Sequence, residues 1–222
     1  MNMIDIYTLR QVKGRMGSNP GGVYQDENGR CFYVKTLETS AYARNEILAA
    51  SLYRLAGAPT LTYVETTHPN QVATELVQLE KSNVSQLNAD ERKQAQHWLG
   101  VHAWTANWDV AGFLGDNQGV VDGTVVTLDM GGALAFRAMG DPKGKAFGTT
   151  VGELDTLRLN ADNPFAVKLF GDMGEAAIQA AIQVVTRIPD EQIRQVIADH
   201  QGRDTLADKM IARKADMANR LT

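Results

Sequence analysis

Strand-forming signals crowd into residues 1–80 of this 222-residue chain, and helical periodicity governs most of residues 81–222. Ile6–Lys13 alternates loosely, Gly21–Gln25 is short, and Arg30–Leu37 is rich in β-formers. Asp26-Glu27-Asn28-Gly29 lies between the last two, and an Asn-Gly pair there predicts a hairpin, because both residues tolerate left-handed backbone. Ser40–Gly57 then changes period: Ser40 is a cap, Leu48, Leu52 and Leu55 recur at helical spacing, and Gly57 with Pro59 stops the helix. Leu61–Thr66 and Gln71–Leu79 read as two more strands around His68-Pro69-Asn70. Beyond residue 80, a helix start at Asn88–Glu91 leads into a helix predicted over 90–108. A short strand ends at Leu128, a glycine-rich loop runs from Gly131 to about Thr150, and three helices fill the tail. These helices begin at Asp172 or Gly174 and are marked further on by Ile193, Val196 and Ile197, then by Leu206, Met210 and Met217. The pattern predicts an α+β fold in two lobes: a small strand-rich N-lobe (1–80) with one helix, and a reduced, mainly helical C-lobe (81–222).

Composition narrows the function. A net charge of −4 gives no general attraction for nucleic acid or anionic membrane. No apolar run approaches the roughly 18 residues of a membrane span. Met1-Asn2-Met3-Ile4-Asp5 lacks a basic segment followed by an apolar one, which argues for a cytoplasmic protein, or one delivered into another cell without a recognisable signal peptide. One cysteine, Cys31, excludes an internal disulfide and any cysteine-based zinc cluster, and reads as a buried structural thiol. The four histidines show no tight metal spacing, and His102 reads as a core residue. Trp98, Trp104 and Trp108 read as core rather than as a ligand platform, and Lys143 and Lys145 as solvated loop charges, with a substrate-facing or regulatory role as the other reading.

Against that background one series of residues carries chemistry. Val125-Val126-Thr127-Leu128 delivers Asp129 at a strand end, with Gly131-Gly132 behind it. Asn117 stands twelve residues upstream and Asp109 eight before that. Lys35 ends the strand Cys31–Lys35, and Glu46 follows on a helix. An Asp–Asn–Asp series behind a Lys–Glu pair supplies the parts for magnesium-assisted phosphoryl transfer. Lys35 would hold phosphates and needs Glu46 as acidic partner if it is buried. Asn117 and Asp129 offer hard oxygens to magnesium, and Asp109 is placed to orient an attacking hydroxyl, with Asp116 as the alternative base. Between the first two strands, Gly17, Ser18, Gly21 and Gly22 free the backbone to approach an anion, although no Gly-Lys-Ser/Thr completes a Walker loop. Each part also has a plain reading: strand-end lysines snorkel to solvent, Asp109 caps a helix, and Asp116-Asn117 forms a turn.

Together the residues resemble a family. Gly17-Ser18-Asn19-Pro20-Gly21-Gly22, Tyr33-Val34-Lys35, Ala43-Arg44-Asn45-Glu46, Asn107-Trp108-Asp109 with Asn117, and Leu128-Asp129-Met130-Gly131-Gly132 are similar to the atypical kinases of the protein-kinase-like superfamily, the HipA-like, phosphoinositide-kinase-like and actin-fragmin-kinase-like proteins. The resemblance spans about Arg10 to Arg158. It implies ATP between two lobes with Lys35 on its phosphates, Asp109 as catalytic aspartate, and Asn117 and Asp129 on Mg2+. The full set reads as an ATP- and Mg2+-dependent phosphotransferase acting on a Ser/Thr hydroxyl of a protein, the chain itself included; AMP transfer or a small-molecule or lipid acceptor on the same fold, and a non-catalytic pseudokinase-like module, are the alternatives. The chain departs from the common protein-kinase pattern in having no His-Arg-Asp, no Asp-Phe-Gly, no Ala-Pro-Glu, and eight positions rather than five from Asp109 to Asn117.

Overall fold

In the computed structural model the described residues are 3–221; Met1, Asn2 and Thr222, and so the start of the segment scanned for a leader, lie outside them. Strands β1 (Arg10–Lys13), β2 (Gly21–Gln25), β3 (Cys31–Thr36), β4 (Tyr63–Val64) and β5 (Gln71–Glu75) form one antiparallel sheet in the order β1-β2-β3-β5-β4. The predicted first strand loses its front part to a 3-10 turn at Ile6–Thr8, because the Asp5 carboxylate accepts the Tyr7 amide and turns the chain. The β2–β3 hairpin closes as expected: Asp26 Oδ1 accepts the Asn28 and Arg30 amides, and Gly29 takes the left-handed conformation (φ +83°).

The period of two along β3 sorts its side chains between the sheet faces. Phe32 and Val34 point with Ala73 into a small cluster covered by Ile4, Ile6 and Leu9. Tyr33 and Lys35 therefore point the other way, toward the cleft, with Lys35 paired to Val72 of β5. Helix α1 (Ser40–Leu55) packs on this sheet and on the C-lobe, and Thr39, not Ser40, is its cap, with the Thr39 side chain accepting the Tyr42 amide.

The helix predicted over 90–108 is two helices, α2 (Ala89–His97) and α3 (Leu99–Trp104), broken at Trp98. The break lays Gly100 against α6 (Glu175–Thr186): a Cβ at Gly100 would stand 2.7 Å from the Ala181 carbonyl carbon and closer still to its oxygen. At the front of α2, Asn88 and Glu91 form a complete capping box. Ahead of Asp129 lies a hairpin, β6 (Gln118–Val121) and β7 (Thr124–Thr127), turned by Asp122 and Gly123, both at positive φ, as a two-residue turn of this kind requires.

Helices α4 (Glu153–Leu159), α5 (Pro164–Phe170), α7 (Asp190–Asp199) and α8 (Asp204–Ala218) complete the C-lobe. One hydrophobic core runs without interruption from Leu37 and α1 through α3 to Met217 in α8, so the two lobes share their interior. Arg213 of α8 is fully buried. Its charge is tolerated because its guanidinium donates to the carbonyls of Ala103, Trp104 and Gly148 and to Glu153 Oε2. Trp104 returns the contact, its indole N–H donating to Met210 O at 2.8 Å. Of the three tryptophans, only Trp104 is fully buried; Trp98 and Trp108 are half-buried against the core. Cys31 is also only half-buried, at the rim of the sheet.

Candidate active site

The centre of the cleft is Lys35. Its ammonium lies 2.9 Å from Glu46 Oε1 and 3.0 Å from Asp129 Oδ2, which brings β3, α1 and the segment after β7 to one point. Burial alone would favour neutral lysine, but Asp129 and Glu46 reverse that and raise its pKa well above the ordinary value. The two carboxylates differ. Burial pushes Glu46 up to about 7 despite the attraction of Lys35, and its Oε2 has no hydrogen-bond partner. Burial also pushes Asp129 upward, but Lys35 and the Gly131 amide (2.7 Å to Oδ1) more than offset it, so its pKa falls. Asp129 is thus the firm anion and Glu46 the soft one. Tyr63 completes the group, its hydroxyl donating to Glu46 Oε1 at 3.1 Å.

Asp109 and Asn117 face the same cavity, of about 720 Å³. The Asn117 amide donates to the Asp109 carbonyl at 2.7 Å and to Asp109 Oδ2 at 3.0 Å, which spans the eight-position loop with one side chain. With its N–H groups turned to Asp109, the Asn117 oxygen is left without a protein donor among the described residues. Burial and the Asp129 charge push Asp109 up to about 6. Asp116 also lines the cavity and adds to that upward push.

The donor set suits magnesium. Asp129 is 41% exposed and its carboxylate has lone pairs beyond those given to Lys35 and Gly131, while Asn117 offers its free amide oxygen. Among the described residues no three His, Cys, Asp or Glu side chains form a self-contained cage, and magnesium is commonly held by one or two protein oxygens together with substrate phosphates.

Of the glycine loop, Gly17 and Ser18 line the cavity beside Met16 and Asn19. Gly21 and Gly22, expected to share in a phosphate cradle, instead begin β2. A Cβ at Gly21 would strike the β3 backbone at Val34, and one at Gly22 would stand 2.7 Å from Lys13 O of β1. Their smallness serves strand approach rather than an anion.

Sequence reasoning missed the groups that fix the segment after Asp129. Asn45 Nδ2 donates to Ala133 O at 2.9 Å, and its Oδ1 accepts the Ala135 amide at 3.1 Å. The Tyr42 hydroxyl donates to Ala138 O at 2.6 Å. The available signal was their place on α1: Tyr42 is one helical turn before Glu46, and Asn45 is its neighbour. Lys143 is a correction. It is 4% exposed, not solvated, and donates to the carbonyls of Ala106 (2.7 Å), Gly132 (2.7 Å) and Leu134 (3.0 Å). Burial pulls its pKa down to about 7; Glu153 opposes this, and Arg213 and Arg137 add to it. Lys145, by contrast, is exposed as expected.

No family model and no curated protein sequence matches the chain. Among solved structures, the proinflammatory kinase CtkA of Helicobacter pylori superposes with a TM-score of 0.60 at 13% identity, covering 99% of this chain and 94% of that one. The fold is kinase-like. The macrolide 2'-phosphotransferase MphH of Brachybacterium faecium aligns over 93% of this chain and 92% of its own at 9% identity, with a TM-score of 0.39. An aminoglycoside phosphotransferase of Alicyclobacillus acidocaldarius does so over 96% and 92% at 15% identity and a TM-score of 0.36. Scores at that level leave the fold resting on the Helicobacter kinase. No helix among the described residues is long and apolar enough to cross a membrane.

Proposed function

We propose that the chain is an ATP- and magnesium-dependent phosphotransferase acting on a Ser/Thr hydroxyl of a protein. The observation that carries this reading is Lys35 clamped between Glu46 and Asp129 in a cavity that also holds Asp109 and Asn117. Lys35 meets the phosphates of ATP as a compact charge, and the Gly17-Ser18 loop closes over them from the sheet side. Asp109, oriented by Asn117, accepts the proton of the acceptor hydroxyl as its oxygen bonds to the γ-phosphorus and the bond to the β-phosphate oxygen breaks. Asn117 and Asp129 would hold magnesium, which supplies charge neutralisation on the phosphate oxygens. Absence of His-Arg-Asp and Asp-Phe-Gly favours the atypical branch, the HipA-like, phosphoinositide-kinase-like or actin-fragmin-kinase-like kinases.

The cavity mouth supports a protein acceptor. Met16, Phe113 and Met139 come from three different loops, are 49%, 91% and 78% exposed, and line the same cavity as Asp109. A polypeptide with an apolar side chain beside its hydroxyl would cover them. The test is label transfer from γ-labelled ATP to the protein itself or to a host protein, with intact mass reporting the phosphate. Loss of transfer in Asp129→Ala and Lys35→Ala is the expected result, and equal labelling of these variants would sink the site assignment. Label arriving only from α-labelled ATP would mean AMP transfer, and no nucleotide-dependent thermal shift with magnesium would leave a pseudokinase-like binding module.

A further inference from the structure

Lys143 makes no contact with the cleft, yet its ammonium joins the two strands of chain that carry the candidate acids. Ala106 lies three residues before Asp109, and Gly132 and Leu134 lie three and five residues after Asp129. All three turn their carbonyl oxygens onto one nitrogen, at 2.7, 2.7 and 3.0 Å. Ala106 (φ +51°) and Leu134 (φ +53°) hold the left-handed backbone that residues with a side chain avoid. Two such residues with converging carbonyls mark a conformation set by what they surround. Three acceptors around one point match the three N–H groups of an ammonium and no other side chain. The Trp108 ring covers the site, with Lys143 Nζ 4.7 Å from its centroid, and Trp108 directly precedes Asp109. The Leu134 amide closes the link from the other side, donating to Thr105 O at 2.7 Å.

We propose that Lys143 is a positioning residue: its ammonium ties the carbonyls of Ala106, Gly132 and Leu134 together and so sets the placement of Asp109 relative to Asp129. This rests on the phosphotransferase reading, in which the two acids act on one phosphoryl group. The segment after Asp129 is then held in its working shape by a lysine inside the chain and by Asn45 and Tyr42 of α1, and needs no added phosphate to order it.

Two variants test this. Lys143→Met keeps the length and removes the donors; Lys143→Arg keeps the charge, but its planar fork cannot converge on three carbonyls. In both, kcat is expected to fall by about a hundredfold, the size of effect produced by displacing a group about 1 Å. KM for ATP should change less than about threefold, because Lys35, Glu46 and Asp129 still meet the nucleotide. Amide hydrogen exchange at Leu134 should quicken in both variants, a readout that does not depend on activity. Wild-type kcat in either folded variant, or a change confined to KM, overturns the proposal. So does loss of folding in both, which would assign Lys143 to stability alone. If the wild type transfers no phosphate, the phosphotransferase reading fails by itself, while unchanged Leu134 exchange in the variants refutes the tie independently.

Discussion

Replacing Lys35 with methionine tests how charge is divided in the cleft. Glu46 stands at about 7 even with the ammonium 2.9 Å away, because burial outweighs that attraction. Without Lys35 the lowering influence disappears, and Glu46 must rise above 7. An acid whose pKa is higher folded than unfolded binds its proton more tightly when folded. Its stabilising effect is full below the unfolded value of 4.5 and is lost as pH rises toward the folded value. Across that interval each pH unit removes about 1.4 kcal/mol. In the wild type the loss from Glu46 ends near pH 7; in Lys35→Met it continues. Asp129 also loses the lowering influence of Lys35 in the variant, so any slope it adds has the same sign. For each pH unit by which Glu46 rises above 7, the variant loses about 1.4 kcal/mol that the wild type keeps. At about 2–4 °C per kcal/mol for a chain of this size, the gap between their thermal midpoints widens by about 3–6 °C per such unit. Circular dichroism melts at three pH values from 6 to 8.5, without magnesium or nucleotide, measure this. Parallel pH curves for the two proteins above pH 7 would refute the claim that Lys35 holds Glu46 anionic.

Asp109→Asn should lower phosphate transfer by about 10²–10⁴-fold with nucleotide binding kept, and Asp116→Asn by far less; the reverse order, read by γ-label transfer, would move the base to Asp116. Gly100→Ala should cost about 3 kcal/mol and about 6–12 °C in melting midpoint, because its methyl enters the Ala181 carbonyl where α3 crosses α6. An unchanged melt would mean that the two backbones can part at no cost.

The grouping of Lys35, Glu46 and Asp129 was legible because it depends on residue type at strand ends and helix faces. Lys35 ends a period-two strand, Glu46 lies on the helix after it, and Asp129 follows a β-branched run, so local pattern alone aims all three at the cleft. What the sequence hid depends on long-range contact. Lys143 sits in Asp141-Pro142-Lys143-Gly144, which reads as any surface turn, and only the fold brings the carbonyls of Ala106 and Leu134 around it. Gly21 and Gly22 misled for the same reason: a glycine needed for an anion and one needed against a neighbouring strand look alike until the strand is in place. The break at Trp98 was hidden too, since the apolar spacing continues across it while packing against α6 redirects the chain.

The anchoring of α3 by α8 bears on how the protein is made. Trp104, five residues before Asp109, finds its seat on Met210 and Arg213, more than a hundred positions later in the chain. At ribosomal speeds that stretch takes roughly 5–20 s to synthesise. For most of that interval, once Asp129 has been made, the nascent chain contains Lys35, Glu46, Asp109, Asn117 and Asp129, but the helix leading to Asp109 lacks its buttress. The helix leading to Asp109 gains this buried anchor only once α8 has emerged from the ribosome.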